Sequence, residues 1–508
     1  MSTTTAPGDE ERFRSKTQQS PIATKRAQSQ ANDRLPKPPN SNYFPLGYKE
    51  GFCQWWANIP SAVAEHRVLS FIPHLRKPPT QLQTGSAPPS ASASQTSIVE
   101  SNPSASESET TNTLNDPYGP RLWHSDLVRL SGKNRALNEF SVERLNDGVE
   151  NNLVMLHGYG AGLGFFYKNF EGLSRAPGWR IYALDMLGMG RSSRPPFKIH
   201  AKGHQEKITE AENWFIDALE EWRIKKKINR FTLLGHSMGG YMAVAYALKY
   251  PGHLKKLILA SPVGIPEDPY AVSAEMPDPE DSTMANEFTQ DQDEAVRSNV
   301  SSGTSTPTKP GPQVPRRPLP KWVTYLWDAN ISPFSIVRWA GPLGPRFVSG
   351  WTSRRFSHLP APEAQALHDY SYSLFKQRGS GEYALAYILA PGAFARSPLI
   401  RRIENVGRQI IKPAEQNGGV EVREKGIPVM MMYGENDWMD VAGGYAAEEK
   451  FRVEKQKWTE KNGEEEGGEA KVVIIKKAGH HVYLDGWEEF NEIMLQEMAK
   501  TSAKDKDC

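Results

Sequence analysis

Gly235-His236-Ser237-Met238-Gly239-Gly240 follows the apolar run Phe231-Thr232-Leu233-Leu234 and opens a helical pattern that runs from Met238 through Ala247 toward Tyr250-Pro251. A strand that feeds a helix through so tight a turn forces the central residue into a strained backbone conformation. Glycines two positions before and two after leave room for it. The spacing predicts an exposed serine hydroxyl at a strand-to-helix corner. The N-terminus of the following helix then points at the place where an oxyanion would form. Other glycine-rich turns fit the same pattern, so the reading rests on partners elsewhere in the chain.

Those partners occur in the order serine, acid, histidine. Tyr433-Gly434-Glu435-Asn436-Asp437 follows the run Val429-Met430-Met431-Met432, and Val472-Val473-Ile474-Ile475 leads into Ala478-Gly479-His480-His481. Serine is a weak nucleophile at its free pKa. A neutral imidazole must take its proton, and a carboxylate must fix the tautomer and stabilise the imidazolium. Ser237, Asp437 and His480 are therefore the expected catalytic residues. Asp440 competes with Asp437, and His481 competes with His480. Upstream, Leu153-Val154-Met155-Leu156 ends in His157-Gly158-Tyr159-Gly160-Ala161-Gly162. This loop offers a backbone N–H from Tyr159 or Gly160, opposite that of Met238, as an oxyanion hole.

With 61 Lys+Arg against 59 Asp+Glu, the 508-residue chain is nearly neutral, which gives no bulk electrostatic case for nucleic acid. Its two cysteines, Cys53 and Cys508, make no disulfide framework. No metal-ligand cluster and no cofactor motif stand out: His200 and His204 are spaced i, i+4 but show no companion carboxylate. No apolar stretch reaches the roughly 20 residues of a spanning helix, so the chain reads as soluble or peripheral.

Residues 1–41 form a basic tail and 79–117 a Ser/Pro/Thr/Asn linker, and 266–318 is a tract that opens acidic and ends in Pro315-Arg316-Arg317-Pro318. None buries enough apolar surface to offset its ordering entropy, so all three are expected to be disordered. A shorter loop is expected at 455–470, around Glu464-Glu465-Glu466-Gly467-Gly468. The remainder, 118–265 and 421–500, alternates strand and helix. Short, nearly continuous apolar runs at 152–156, 180–184, 231–234, 256–260, 428–433 and 472–475 suit strands covered on both faces. An amphipathic helix spans Glu206 to Ile224. A last helix is announced by Asp485, with Glu488 three residues on as a capping pair. The alternation predicts an α/β chain with a mostly parallel, doubly wound sheet.

Residues 319–420 carry Trp322, Tyr325, Leu326, Trp327, Ile331, Phe334, Ile336, Val337 and Trp339, then Phe347, Trp351 and Phe356. This is an aromatic helical cap, suited to an apolar cavity over the serine. Its basic group Arg346, Arg354 and Arg355 suits a phosphate headgroup or a solvated face. Ahead of the core, 42–78 places Phe52, Trp55, Trp56 and Ile59 on one helical face, followed by Val68, Phe71, Ile72 and Leu75, with Lys49, Arg67, Arg76 and Lys77 nearby. The segment either packs on the core or meets a membrane surface.

Together with Asp185-Met186-Leu187-Gly188-Met189-Gly190-Arg191-Ser192-Ser193-Arg194-Pro195 and Gly479-His480-His481-Val482-Tyr483-Leu484-Asp485, these motifs resemble one branch of the α/β-hydrolases. That branch contains the fungal mitochondrial cardiolipin-specific deacylase, lysophosphatidic-acid acyltransferase-like proteins and the animal lipid-droplet lipase co-activator. The resemblance implies an α/β-hydrolase fold with an inserted cap, Ser237 as nucleophile and His480 as base. It also implies a phospholipid substrate, peripheral membrane contact and a mitochondrial location, with cytoplasm or lipid droplet as alternatives. The branch's His-x4-Asp acyltransferase signature falls on His480 and Asp485. The expected activity is deacylation of a cardiolipin-like glycerophospholipid through an acyl-enzyme. The alternatives are lysophosphatidic acid acylation by the same serine, or a non-catalytic scaffold that recruits a lipase, against which the intact serine corner argues.

Overall fold

The computed structural model describes residues 45–75, 77–80, 116–145, 147–267, 330, 332–390, 394–463 and 467–504, and the backbone of 109–112. The tail 1–41, most of the 79–117 linker, nearly all of 266–318, and Trp322, Tyr325, Leu326, Trp327 and Ile331 of the cap lie outside these residues.

Two helices lead in, α1 (Tyr48–Ala57) and α2 (Ser61–Leu69). The first part of the core holds β1 (Glu109–Asn112), β2 (Arg121–Arg129), β3 (Ala136–Arg144), β4 (Asn151–Leu156), α3 (Tyr167–Leu173), β5 (Trp179–Leu184), α4 (His204–Lys225), β6 (Phe231–His236), α5 (Met238–Lys249) and β7 (Leu254–Ala260). The insertion carries α6 (Pro333–Trp339), α7 (Gly344–Arg355), α8 (Ala361–Phe375) and α9 (Leu385–Ile388), then the small hairpin β8 (Ile410–Lys412) and β9 (Val422–Arg423). The core resumes with β10 (Val429–Gly434), α10 (Val441–Asn462), β11 (Ala470–Ile475), α11 (Val482–Asp485) and α12 (Trp487–Lys504).

One sheet runs β1-β2-β3-β5-β4-β6-β7-β10-β11. It is parallel from β5 to β11 and antiparallel across β1, β2, β3 and β5. Each central strand is buried on both faces, which is why its sequence is an unbroken apolar run. Leu257 and Leu259 of β7 face one core with α4 and α5, while Ile258 and Ala260 face the other with α3 and α12. The sheet is thus doubly wound, as expected.

The structure corrects four sequence readings. The linker 79–117 is not wholly unstructured: Glu109–Asn112 extends the sheet edge by pairing with β2. The loop expected at 455–470 is helical as far as Asn462, because α10 continues until Gly463 turns it off at φ +70°. Asp485 does not cap the last helix, which starts at Trp487; it closes α11 instead. His200 does have a carboxylate companion, Glu210, with Nδ1 2.9 Å from Oε1.

The 42–78 segment divides. Residues Ala64, Val68 and Leu69 of α2, with Ile72 and Leu75, are buried in the second core, whereas Phe52, Trp55 and Trp56 of α1 are exposed.

Candidate active site

β6 ends at His236, and Ser237 takes φ 52°, ψ −117° before α5 begins at Met238. A non-glycine residue pays a steric penalty in that region, so the corner holds only where its neighbours enforce it. They do so by closeness. A Cβ added to Gly235 would lie 2.2 Å from the Gly239 carbonyl oxygen, and one on Gly239 would lie 2.6 Å from Leu156 O and 2.7 Å from His157 O. The Ser237 N–H donates to Ala260 O of the next strand at 2.9 Å. The Met238 N–H begins α5 and so belongs to the helix's unpaired first turn.

His480 follows β11, and its Nδ1 lies 3.1 Å from Asp437 Oδ1. Asp437 is buried and folded back onto its own turn, where it accepts the Met439 N–H at 3.0 Å and the Gly434 N–H at 3.4 Å. Burial alone would push this carboxyl up, but the His480 ring and the Met439 N–H hold it below the usual carboxylate range. Asp440 instead caps α10, accepting the Ala442 N–H at 2.9 Å from an exposed position. The geometry therefore pairs His480 with Asp437 rather than with Asp440.

His481 does not face solvent. It is buried, stacked 6.0 Å from Phe165, and its Nδ1 accepts from Arg355 Nε at 2.9 Å. Burial, with Arg355 beside it, holds the ring neutral. The His236 ring lies 4.8 Å from that of His480, and its Nε2–H donates to the His480 carbonyl at 3.0 Å. The residue before the serine thereby ties the β6 corner to the histidine loop, a contact that sequence reasoning missed.

The loop after β4 lies against the same corner. A Cβ on Gly158 would sit 3.1 Å from Ser237 Cβ and 2.8 Å from His236 Nδ1. Next along, Gly160 has φ +70°, and the Tyr159 ring stacks at 5.0 Å on Phe334 of the cap, which stacks at 4.3 Å on Phe375. His157 anchors the loop: its Nδ1–H donates to Gly158 O at 2.7 Å and its Nε2 accepts the Met186 N–H at 3.1 Å. Burial lowers its pKa to about 4. A small cleft adjoins Gly160, between Phe334, Phe375 and Leu374 of the cap and the side chains of Arg194 and Glu382.

The basic group of the cap is not a free anion site. Arg355 is held by Asp485, with Nη2 at 3.0 and 3.1 Å from its two oxygens, as well as by His481. Arg346 lies 3.9 Å above the Tyr48 ring. Asp485, read from sequence as a helix cap, instead takes the Gly479 N–H at 3.0 Å and clamps α7 to the histidine loop. A charged partner 130 positions away in sequence outcompetes the local cap. Among the described residues no group of three His, Cys, Asp or Glu side chains is arranged to hold a metal ion.

A model of the α/β hydrolase fold family matches residues 151–486. The 1-acylglycerol-3-phosphate O-acyltransferase of Arabidopsis thaliana is 32% identical over 359 residues, covering 70% of this chain and 68% of that protein. The 1-acylglycerol-3-phosphate O-acyltransferase ABHD5 of Mus musculus is 30% identical over 378 residues, covering 73% and 84%. The (lyso)-N-acylphosphatidylethanolamine lipase of Homo sapiens is 28% identical over 347 residues, covering 67% and 77%. With that match spanning the serine corner, the acid turn and the histidine loop, the chain belongs to the α/β hydrolase fold family.

Proposed function

We propose that this chain deacylates a glycerophospholipid, cardiolipin or a related lipid, through an acyl-enzyme on Ser237. The observation that carries the reading is the strained serine at a helix N-terminus together with a buried His480–Asp437 pair on the neighbouring strand ends. Ser237 Oγ attacks the ester carbonyl while His480 Nε2 takes its proton, and Asp437 stabilises the imidazolium. The developing oxyanion accepts N–H bonds from Met238 and from Tyr159 or Gly160. His480 then protonates the leaving alkoxide and the lysophospholipid departs. Water, deprotonated by His480, releases the fatty acid.

A second reading has support in the relatives named as acyltransferases: a lysophospholipid hydroxyl replaces water and receives the acyl group from the same serine. A lipid substrate requires a lipid surface, and one side of the molecule suits it. Tyr48, Trp56 and Trp339 are 70%, 74% and 73% exposed, with Phe52 and Phe347 beside them. α1 rests on the cap, since Gly51 faces Arg346 Cβ and the Pro342 carbonyl and the Arg346 guanidinium lies over the Tyr48 ring. Aromatic rings interspersed with basic side chains partition into the headgroup layer. No described helix is long and apolar enough to cross a membrane. A mitochondrial membrane is the location proposed, on the resemblance and on the basic residues from Arg12 to Lys37.

The test incubates purified protein and a Ser237→Ala variant with vesicles of cardiolipin, other phospholipids or neutral lipid, with and without a lysophospholipid acceptor. Ser237-dependent release of fatty acid supports hydrolysis, and Ser237-dependent acylation of the acceptor supports transfer. Neither product on any lipid refutes the enzymatic reading.

A further inference from the structure

Behind the glycine loop lies a buried charge cluster that the proposed chemistry does not use. Glu65 of α2 is 1% exposed, and Arg191, on the loop after β5, is 0% exposed. Arg191 Nη1 donates to Glu65 Oε1 at 2.5 Å. The other Glu65 oxygen accepts from the Tyr370 hydroxyl of α8 at 3.1 Å and from Asn138 Nδ2 of β3 at 3.2 Å. Asn138 Nδ2 also reaches Asp185 Oδ2 at 2.8 Å, which takes the Arg191 backbone N–H at 2.7 Å.

The cluster ends on the loop. Asp185 Oδ1 accepts the Leu163 N–H at 2.7 Å, and the Tyr370 hydroxyl accepts the Gly164 N–H at 3.3 Å. Contact there is close: a Cβ on Gly162 would lie 2.4 Å from Tyr370 Oη and 3.1 Å from Asp185 Oδ1. Burial pushes both carboxyls above their usual range, Glu65 against the pull of Arg191. Among the described residues, Nε and Nη2 of Arg191 have no acceptor, so Glu65 is the guanidinium's hydrogen-bond partner there. Without that carboxylate, a fully buried cation would be left to draw on Asp185, the group that holds the loop.

We propose that Glu65 is a positioning residue: through Tyr370 and through Arg191 and Asp185 it fixes the 158–164 loop, and with it the N–H groups of Tyr159 and Gly160. This rests on the serine-hydrolase reading above. It makes the N-terminal helix pair part of the reacting unit, since α2 supplies a charge that the core and the cap both use.

The test compares wild type with Glu65→Gln, which keeps an acceptor for Tyr370 and Asn138 but removes the charge, and with the milder Tyr370→Phe. Active serines are counted by fluorophosphonate labelling run to completion, and turnover of p-nitrophenyl butyrate is expressed per labelled site. The expected result is a fall in kcat of about tenfold or more for Glu65→Gln and about threefold for Tyr370→Phe, with KM moving less than about twofold, because a misplaced oxyanion donor acts on the transition state. Should Glu65→Gln yield no folded protein, Tyr370→Phe decides. Unchanged kcat per labelled site, with only fewer sites or a lower Tm, overturns the inference alone. A wild-type chain that neither takes the label at Ser237 nor turns over the ester overturns the serine-hydrolase reading and this inference with it.

Discussion

Replacing Asp437 by Asn and, separately, Asp440 by Asn distinguishes two carboxylates that lie three positions apart and have different surroundings. Asp437 is buried with Oδ1 3.1 Å from His480 Nδ1. At an effective dielectric constant of about 20, a unit charge at that separation stabilises the imidazolium by about 5 kcal/mol, or about ten-thousand-fold in rate. The imidazolium forms only as Ser237 attacks, so the loss falls on kcat and leaves KM nearly unchanged. The amide introduced by Asp437→Asn would also present an N–H that favours the wrong tautomer, which acts in the same direction. Asp440 accepts only a local bond from Ala442 N–H at the start of α10. Asn serves that position nearly as well, at a cost of a few tenths of a kcal/mol. The assay is steady-state hydrolysis of a soluble ester, normalised to phosphonate-labelled serine. The reasoning is refuted if Asp437→Asn keeps more than about a tenth of kcat, or if Asp440→Asn loses more than about tenfold.

Other perturbations probe other parts of the argument. Gly239→Ala forces a Cβ to within 2.6 Å of the Leu156 carbonyl, so phosphonate labelling of Ser237 should disappear, and normal labelling would contradict the packing described for the corner. Trp56→Ala combined with Trp339→Ala should weaken binding to anionic vesicles by about tenfold or more in co-sedimentation, with soluble-ester turnover unchanged, since each ring buries apolar area worth more than about 1 kcal/mol. His368 is buried, donates to Gln54 Oε1 and accepts from Thr352 Oγ1, and burial lowers its pKa to about 3. The unfolded chain takes up this proton near pH 6.5 and the folded chain does not, so the stability is present above that pH and lost below it. Between about pH 7 and about pH 5 wild type should lose about 2 kcal/mol more than His368→Gln in urea unfolding, and parallel curves would exclude the assignment. Asp485→Asn weakens the Arg355 clamp while leaving the His480–Asp437 pair, so it should alter the ratio of hydrolysis to transfer more than the rate of phosphonate labelling.

The parallel strands were legible because burial on both faces leaves an unbroken apolar signature, as in Val429-Met430-Met431-Met432. β2 and β3 were not. They carry Arg121, Asn138 and Glu139 at buried positions, and their partners come mostly from other elements: Glu171 as well as the nearby Asp116 for Arg121, Lys226 and Trp222 for Glu139. The serine, the acid turn and the histidine pair were visible as motifs at strand ends. The sequence favours Asp437 over Asp440 only for lying nearer the strand end; what separates them in the fold is the burial of Asp437, its fold-back onto Met439 N–H and Gly434 N–H and its contact with His480. Glu65 gave no local signal either. A carboxylate in the helix pattern Ser61–Leu69 reads as a solvated face until Arg191, Asn138 and Tyr370 close around it.

In the proposed mechanism, the distinction between hydrolysis and acyl transfer turns on access rather than on a second set of reacting groups. His480 and Asp485 stand in the spacing expected of an acyltransferase signature, but Asp485 is engaged by Arg355, by the Gly479 N–H and by His358 at 3.4 Å, while His480 pairs with Asp437. The spacing is satisfied by two different jobs, Asp485 holding the cap to the histidine loop and His480 pairing with Asp437. Both reactions share attack by Ser237 and departure of a lysolipid, and diverge only when water or a lysolipid hydroxyl reaches the acyl ester. On that reading, the groups placed to govern this access are Tyr159, Phe334 and Phe375, stacked in sequence beside the glycine loop. Return of the departed lysolipid only restores the starting phospholipid, so transfer requires a different lysolipid hydroxyl to reach the acyl ester before water does.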